Sequence, residues 1–173
     1  MAYSLGRMAA ACLAACLAAG AALPQSAAAR EVVEFHEGGY SAGTIVVKTN
    51  ERRLYYVMGD GRAVRYPVGV GKAGKAWSGT AQIAGKYLKP DWSPPADVKH
   101  DKPWLPDVIP GGSPRNPMGV AAMMLSRGQY AIHGTNMPSS IGGFVSYGCI
   151  RMYNQDILDL YARVSVGTTV VVQ

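Results

Sequence analysis

Residues 44–71 read TIVVKTNERRLYYVMGDGRAVRYPVGVG, and this stretch carries the strongest signal for the fold. Runs 44–48 and 53–57 within it are rich in β-branched and aromatic residues, which favour the pleated, half-buried surface of a strand. The polar pair Asn50-Glu51 separates the two runs. The pattern therefore predicts a β-hairpin.

A second turn signal, Gly59-Asp60-Gly61, follows this hairpin directly. Asp-Gly tolerates the positive φ angles that two-residue hairpin turns require, so the next runs, 63–66 and 68–71, are also predicted to be strands. Pro67 lies between them and marks an edge or a bulge, because proline cannot donate a hydrogen bond to a sheet ladder.

Three short apolar runs farther along the chain predict further strands: 81–84, 130–132 and 168–172. One helix is predicted, because Asn154 suits the N-cap and apolar residues recur at helical spacing over 157–164. The run from Asn116 to Leu125 fits either a helix or a buried strand, and its periodicity does not separate the two. Patterning alone indicates a β-rich domain with one helix.

The segment between Tyr87 and Met118 has a different composition and no periodic apolar pattern. It holds most of the prolines of the chain: Pro90, Pro94, Pro95, Pro103, Pro106, Pro110, Pro114 and Pro117. Long irregular segments inside compact domains are uncommon and often form lids or binding loops. Two interpretations stay open: a lid that covers or flanks a site, or a surface excursion held by its prolines.

The N-terminal residues indicate export. Arg7 is the only charged residue before an apolar run, 8–23, and an Ala-rich stretch ends the region at Ala29. These features are typical of a secretory signal peptide, which makes Arg30 the first mature residue. Two alternatives stay open. One is an uncleaved anchor, although the run is short of the roughly 20 apolar residues of a membrane span; the other is lipidation at Cys16.

Removal of residues 1–29 leaves 144 residues, enough for one domain with its own core. The formal net charge then falls from +6 to +5, because Arg7 leaves with the leader. A basic exported protein suits an anionic polymer such as a cell-wall glycan, and export disfavours nucleic acid as a partner. No stable membrane span is expected after cleavage.

Cys149 is the only cysteine of the mature chain, since Cys12 and Cys16 lie in the leader. Stabilising cysteines of exported proteins come in pairs, so a single one indicates an intermolecular bridge, a buried thiol or a reactive thiol. His133 precedes it by sixteen residues, and Cys149 lies in the stretch 146–152, SYGCIRM. A thiol attacks as its thiolate, and a nearby imidazole can remove its proton. This pair is the candidate catalytic centre.

The string from His133 to Met152 is similar to the active-site motif of the L,D-transpeptidases, the YkuD-domain family, in which a histidine precedes a Ser-His-Gly-Cys stretch. The similarity runs from roughly Thr44 to the C-terminus, through these stretches: 66–72, 77–79, 90–92, 111–112, 116–117 and 160–161. It implies a mainly β fold, a bent β-sandwich of mixed sheets with one late helix and a long Pro-rich lid. The implied division is a signal peptide (1–29), a short N-terminal segment (30–43) and a catalytic domain (44–173).

The resemblance also implies a reaction and its residues. Family members cut a tetrapeptide stem of peptidoglycan between its third residue, often diaminopimelate, and a terminal D-alanine, and pass the acyl group to an amine. Cys149 is then the nucleophile and His133 the general base. The main-chain carbonyl of Gly134 orients the imidazole, and the N–H groups of Gly148 and Cys149, together with Tyr147, line the oxyanion hole.

Three neighbours of the nucleophile complete the expected site. The guanidinium of Arg151 suits the free carboxylates of the stem peptide, and an ion pair with Asp156 is the alternative. Ser146 is assigned with Arg151 to substrate binding, its hydroxyl bonding within the turn or to the histidine. Tyr147 stands where the family pattern has a histidine; tyrosine cannot become an imidazolium, so this departure affects the pH dependence more than the reaction class.

No cofactor and no metal site are expected, because the mature chain has one cysteine and neither an HxxxH nor an HExxH spacing. His36 and His100 lie in polar stretches and are expected on the surface. Three functions stay open: a transpeptidase that joins a peptidoglycan stem to another stem or to an envelope protein, a carboxypeptidase-like hydrolase in which water replaces the amine, and a non-catalytic wall-binding module.

Overall fold

The computed structural model describes Met1 and residues 30–173, and within them the protein is mostly β, with two α-helices. The strands are β1 Glu31–Glu34, β2 Ile45–Lys48, β3 Arg53–Gly59, β4 Arg62–Pro67, β5 Val70–Gly71, β6 Gly79–Leu88, β7 Ala121–Leu125, β8 Ala131–His133, β9 Phe144–Ser146, β10 Ile150–Arg151 and β11 Thr169–Val172. The helices are α1 Ala96–Asp101 and α2 Asn154–Arg163, and a 3₁₀ turn covers Pro138–Ser140.

Nine strands form one continuous mixed sheet in the order β1-β4-β3-β2-β11-β6-β7-β8-β10, and β5 and β9 form a small parallel pair. β6 is the corner of the large sheet: residues 79–82 pair with β11, and residues 83–88 pair with β7. A register shift between Ile83 and Gly85 lies at this change of partner, and such irregularities bend a strand. The two halves of the sheet meet at this bend.

One hydrophobic core joins both halves of the sheet to helix α2. Its fully buried side chains come from β2, β3, β4, β6, β7, β8, β10 and α2: Ile45, Leu54, Tyr66, Ile83, Met123, Ile132, Ile150, Ile157 and Leu160. Burial of each large aliphatic side chain stabilises the fold by about 1.5 to 3 kcal/mol. A smaller cluster around Phe35 and Tyr55 covers the other face of the sheet near β1.

The structure confirms the mainly β class and each predicted strand in its main part. The hairpin turn before β4 has the expected geometry, with φ of 50° at Asp60 and 66° at Gly61, as a turn with two left-handed residues requires. Pro67 is the last residue of β4 and lies beyond β1, which pairs only with residues 62–65, so it occupies a local edge. The undecided run before Leu125 is strand β7.

Three features of the local structure were not predicted from the sequence. Helix α1 forms inside the Pro-rich segment, where no helix was predicted, and the segment 30–43 contains β1, which pairs with β4. Asn154 is not the N-cap of α2: Tyr153 holds that position, and the Asn154 Oδ1 instead accepts hydrogen bonds from the N–H groups of Thr135 and Val120. The Asn154 side chain therefore bonds to backbone groups distant in sequence and does not cap its own helix.

The proposed leader, with its cleavage site at Ala29 and the lipidation alternative at Cys16, lies outside the described residues. In the part of the chain that is described, no helix has the length and apolar character that a membrane crossing needs.

Candidate active site

His133 and Arg151 lie side by side because β8 and β10 are parallel neighbours. The register pairs Arg151 directly with His133, and Cys149 immediately precedes β10. Parallel strands cannot be joined by a tight turn and need a crossover of about a dozen residues or more. The sixteen residues that connect β8 to β10, 134–149, supply this crossover through the 3₁₀ turn and β9. The motif spacing is thus a requirement of the parallel pairing.

A cavity of about 440 Å³ opens beside these two strands. The turn and the strand ends supply His133, Ser146, Tyr147, Cys149 and Arg151 to its wall. The Pro-rich segment supplies others: Trp92, Pro95, Ala96, Asp97, Val98, Pro117 and Met118. The prediction that this segment covers or flanks the site is therefore confirmed.

His133 is 3% exposed and held in one orientation. Its Nδ1 lies 2.6 Å from the carbonyl oxygen of Gly134, as the resemblance implied. A carbonyl oxygen only accepts, so Nδ1 carries the hydrogen and Nε2 keeps a lone pair. Burial, and then the positive charge of Arg151, lower the pKa of His133 to about 4, against partial stabilisation of the charged ring by the Gly134 and Pro117 carbonyls. The imidazole is therefore neutral at pH 7 and free to take a proton.

The thiol of Cys149 is also neutral at rest. Burial raises its pKa, and the lowering by an Ala131 backbone hydrogen bond and by the Arg151 charge does not cancel this effect. The Sγ atom lies 4.0 Å from the carbonyl oxygen of Gln129. The resting site is a thiol with a neutral imidazole, so proton transfer must accompany attack on a substrate.

The turn that presents Cys149 is closed by its own serine. The Ser146 hydroxyl donates to the carbonyl of Cys149 at 2.6 Å and accepts from the N–H of Gly148 at 3.1 Å. Of the two expectations for Ser146, the geometry therefore fits the bond within the turn. The Ser146 hydroxyl also occupies the Gly148 N–H, which was expected to line the oxyanion hole. The N–H of Cys149 is then the donor next to the thiol.

Gly148 cannot be replaced without distortion. Its φ is +119°, and a Cβ added there would lie 2.4 Å from the Cε1 atom of Tyr130. Both the backbone angle and the close approach of an aromatic ring require glycine.

Tyr147 connects the turn to the Pro-rich segment. Its hydroxyl donates to the Asp101 carboxylate at 2.5 Å, and the ammonium of Lys72 lies 3.9 Å from its ring centroid. Hydrogen bonds from Tyr147 and His100 lower the pKa of Asp101 to about 2, so this carboxylate is charged at pH 7. Where the family pattern has an imidazole, this protein therefore has a tyrosine whose hydrogen bond to Asp101 tethers the catalytic turn to the end of α1.

Arg151 has no acidic partner in the described part of the chain. Asp156, the alternative partner, pairs with Arg30 at 3.5 Å, so that interpretation was wrong. The buried Nε of Arg151 has no hydrogen-bond partner among residues 30–173, and burial lowers the pKa of the guanidinium. An unsatisfied cationic donor in a cavity wall favours an anionic ligand.

Sequence reasoning missed three supporting residues. Trp77 donates from Nε1 to the Gly148 carbonyl at 2.9 Å, Asn154 holds the backbone after His133, and Asn116 donates to the carbonyls of Pro90, Ile109 and Pro110. Each acts across 6 to 71 residues of sequence, and no local pattern reports such contacts. The one signal that the sequence offered was the position of Asn116 within a proline-rich segment.

The remaining histidines, His36 and His100, do not line the cavity. The side chain of His36 is 75% exposed and that of His100 is 89% exposed. Among the described residues, no group of three or more His, Cys, Asp and Glu side chains is arranged to hold a metal ion.

The mixed β fold and the cavity with its thiol and buried imidazole define a class of protein with a candidate cysteine active site. The family model of the L,D-transpeptidase catalytic domain, YkuD, matches residues 42–172. The chain belongs to this family, which confirms the resemblance inferred from the motif.

Curated relatives have the same assignment in their names. The probable L,D-transpeptidase YbiS of Escherichia coli is 41% identical over 145 residues, which are 78% of this chain and 44% of YbiS. The probable L,D-transpeptidase ErfK/SrfK of Escherichia coli is 42% identical over 135 residues, 73% of this chain and 42% of that protein. The chain therefore spans less than half the length of these relatives.

Solved structures support the fold. An L,D-transpeptidase from Mycobacterium smegmatis superposes with a TM-score of 0.60 at 20% identity, over 75% of this chain and 58% of that chain. The catalytic domain of the E. faecium L,D-transpeptidase acylated by ertapenem has a TM-score of 0.59 at 19% identity, over 78% of this chain and all of that domain.

Proposed function

We propose that the protein is a peptidoglycan L,D-transpeptidase that uses Cys149 as its nucleophile. The observation that supports this most directly is the parallel pairing of β8 and β10, which brings a buried neutral imidazole and a thiol to one cavity. Beside them lies the Arg151 guanidinium, whose Nε has no hydrogen-bond partner among the described residues. Membership of the family supplies the reaction class.

The first half of the reaction forms an acyl-enzyme. The Nε2 atom of His133 takes the thiol proton as Sγ bonds to the carbonyl carbon of the third stem residue. The Cys149 N–H stabilises the oxyanion. The tetrahedral intermediate then collapses, the bond to D-alanine breaks, and the imidazolium returns the proton to the leaving amine.

The second half transfers the acyl group. An amine acceptor attacks the thioester, His133 accepts its proton, and the thiolate leaves and is reprotonated. An amine from a second stem gives a 3–3 cross-link, and an amine from an envelope protein gives an attached protein. Water as the acceptor makes the protein an L,D-carboxypeptidase, so the product distinguishes the alternatives.

Arg151 is proposed to bind a free carboxylate of the donor stem. Its guanidinium is half-buried beside the nucleophile and lacks an acidic partner among the described residues, so a substrate carboxylate would satisfy its Nε.

The donor polymer lies outside the cytoplasm, in agreement with the proposed signal peptide and a periplasmic or envelope location. N-terminal sequencing of the protein from the envelope fraction tests the cleavage: Arg30 as the first residue supports it, and an intact Met1 contradicts it.

The deciding experiment is intact-protein mass spectrometry with a disaccharide-tetrapeptide, with and without an added amine acceptor. We expect wild type to form an acyl adduct, to release D-alanine and to give a cross-linked product, and Cys149→Ala and His133→Gln to give none. His36→Gln is the matched control, because it changes an exposed histidine outside the cavity.

Release of D-alanine without a cross-linked product would identify the hydrolase. Equal inactivity of wild type and Cys149→Ala would contradict the catalytic proposal and favour a wall-binding module.

A further inference from the structure

Among the described residues, the indole N–H of Trp77 has one hydrogen-bond acceptor, and it lies in the turn that carries Cys149. Its indole Nε1 donates to the carbonyl oxygen of Gly148 at 2.9 Å. The residue lies in the connection before β6, 71 positions from Gly148, and does not line the catalytic cavity. A direct role in substrate contact is therefore not indicated.

The Gly148 carbonyl belongs to the same peptide unit as the N–H of Cys149. In a planar trans peptide the C=O and the N–H point in opposite directions. A hydrogen bond that holds the carbonyl toward Trp77 therefore aims the Cys149 N–H away from it. Trp77 and Gly148 line a small crevice, whereas Cys149 lines the catalytic cavity and Gly148 does not.

The indole is itself held in place. Its ring stacks on Tyr130 with centroids 5.1 Å apart and an interplanar angle of 7°, and the guanidinium of Arg127 lies 5.1 Å from its centroid. Tyr130 also approaches Gly148 so closely that no Cβ fits there. Trp77 and Tyr130 thus contact the same peptide unit, one through a hydrogen bond and the other through van der Waals contact.

We propose that Trp77 is a positioning residue for acyl transfer, which fixes the Gly148–Cys149 peptide so that the Cys149 N–H donates to the oxyanion. This rests on the proposed function of Cys149 as nucleophile. The Gly148 N–H is occupied by the Ser146 hydroxyl, so the orientation of the Cys149 N–H bears the greater part of the stabilisation. A misdirected donor weakens binding of the transition state and leaves the thiol itself unchanged.

The test separates oxyanion stabilisation from thiol reactivity. Acylation by p-nitrophenyl acetate forms a thioester at Sγ, passes through an oxyanion and releases p-nitrophenolate. Alkylation by iodoacetamide displaces iodide at a saturated carbon and forms no oxyanion. Both rates are measured on wild type and Trp77→Phe at the same pH, with intact mass to locate the adduct on Cys149.

We expect Trp77→Phe, which keeps an aromatic ring against Tyr130 and lacks the N–H, to acylate about 10- to 100-fold more slowly, while its alkylation rate stays within about twofold of wild type. Trp104→Phe is the matched control, because Trp104 is 75% exposed and outside the cavity, and both of its rates should equal those of wild type. If Trp77→Phe does not fold, a benzothiophene analogue of tryptophan at position 77 removes the N–H with the ring size retained.

Equal acylation rates for wild type and the variant would overturn this inference alone. Parallel losses of acylation and alkylation would overturn it too, since the indole would then act on the thiol or on the whole turn. Absence of an acyl adduct on wild type that is still alkylated at Cys149 would overturn the inference, because Trp77 would then have no acylation to assist. The proposed function is tested separately by the disaccharide-tetrapeptide.

Discussion

Burial of single residues sets the proton chemistry of the cavity. His133 and Cys149 both favour their neutral forms, the first through a lowered pKa and the second through a raised one, and removal from water is the largest cause in each case. Arg151 stays charged beside them and raises the cost of an imidazolium. The pair is arranged for proton transfer during attack, and a resting thiolate–imidazolium pair is disfavoured.

The buried imidazole should make stability depend on pH. The pKa of His133 is about 4 in the folded protein against 6.5 for a free imidazole, so between these values the unfolded chain binds a proton that the folded chain does not. The free energy of unfolding should fall as pH is lowered from about 7 to 4, with a contribution of up to about 3 kcal/mol from this residue. Urea denaturation at several pH values measures it.

His133→Gln should remove this contribution, and its stability curve should diverge from that of wild type below about pH 6.5. His36→Gln is the control and should run parallel to wild type. A His133→Gln curve that also runs parallel would show that the imidazole is not kept neutral by the fold.

Removal of the Arg151 charge should change two pKa values in the same direction. Arg151→Met eliminates a cation that lowers the pKa of both His133 and Cys149, so both should rise, with His133 still below 6.5 because it remains buried. NMR titration of the ring and the pH profile of iodoacetamide alkylation measure the two. Arg115→Met, at an exposed position, should change neither. An unchanged His133 pKa in Arg151→Met would contradict the electrostatic coupling.

Among the structural elements, the Pro-rich segment forms one wall of the cavity. The side-chain amide of Asn116 donates hydrogen bonds to three carbonyls of this segment. Helix α1 is joined to the catalytic turn by the Tyr147–Asp101 hydrogen bond, and Lys75 forms an ion pair with Asp97 in the same helix. The segment has no periodic apolar pattern, because these individual hydrogen bonds and ion pairs hold it in place. Its composition therefore identified it as irregular but did not reveal α1.

Tyr147→Phe should loosen α1 without unfolding the domain. The ring stays and the hydroxyl bond to Asp101 is lost, so backbone amides at the end of α1, such as that of Lys102, should exchange faster with deuterium, and the pKa of Asp101 should rise from about 2. Tyr87→Phe, at a half-exposed tyrosine of β6, is the control and should leave exchange in α1 unchanged. Identical exchange in wild type and Tyr147→Phe would show that this tether does not order the helix.

For the whole molecule, the core shared across the bend at β6 should make the two halves of the sheet unfold together. The two halves of the sheet share one core, and Ile83, which is 1% exposed, lies where β6 changes its partner. Ile83→Ala should cost about 2 to 5 kcal/mol, because its cavity opens between both halves. Denaturation should still show a single transition. Val32→Ala on the exposed edge strand should cost far less. Two separate transitions would mean that the halves unfold independently.

Most strands could be predicted because their signals are local. The turn at Asp60-Gly61 depends on two residues that accept positive φ, and the alternation around it defines the neighbouring strands. Element β1 was missed because a four-residue edge strand has too little pattern, and the role of Asn154 was misassigned because a tertiary acceptor contact replaced the local cap.

The sequence by itself determined the β-rich class and the candidate pair His133 and Cys149, because turn chemistry, side-chain patterning and a distinctive motif are properties of neighbouring residues. Only the tertiary structure decided that Arg151 has no partner among the described residues, that Ser146 occupies the Gly148 N–H, and that Trp77 holds the peptide of the nucleophile. The physical reason is that hydrogen-bond partners and burial depend on which distant segments the sheet brings together, and the chain order does not encode those contacts locally.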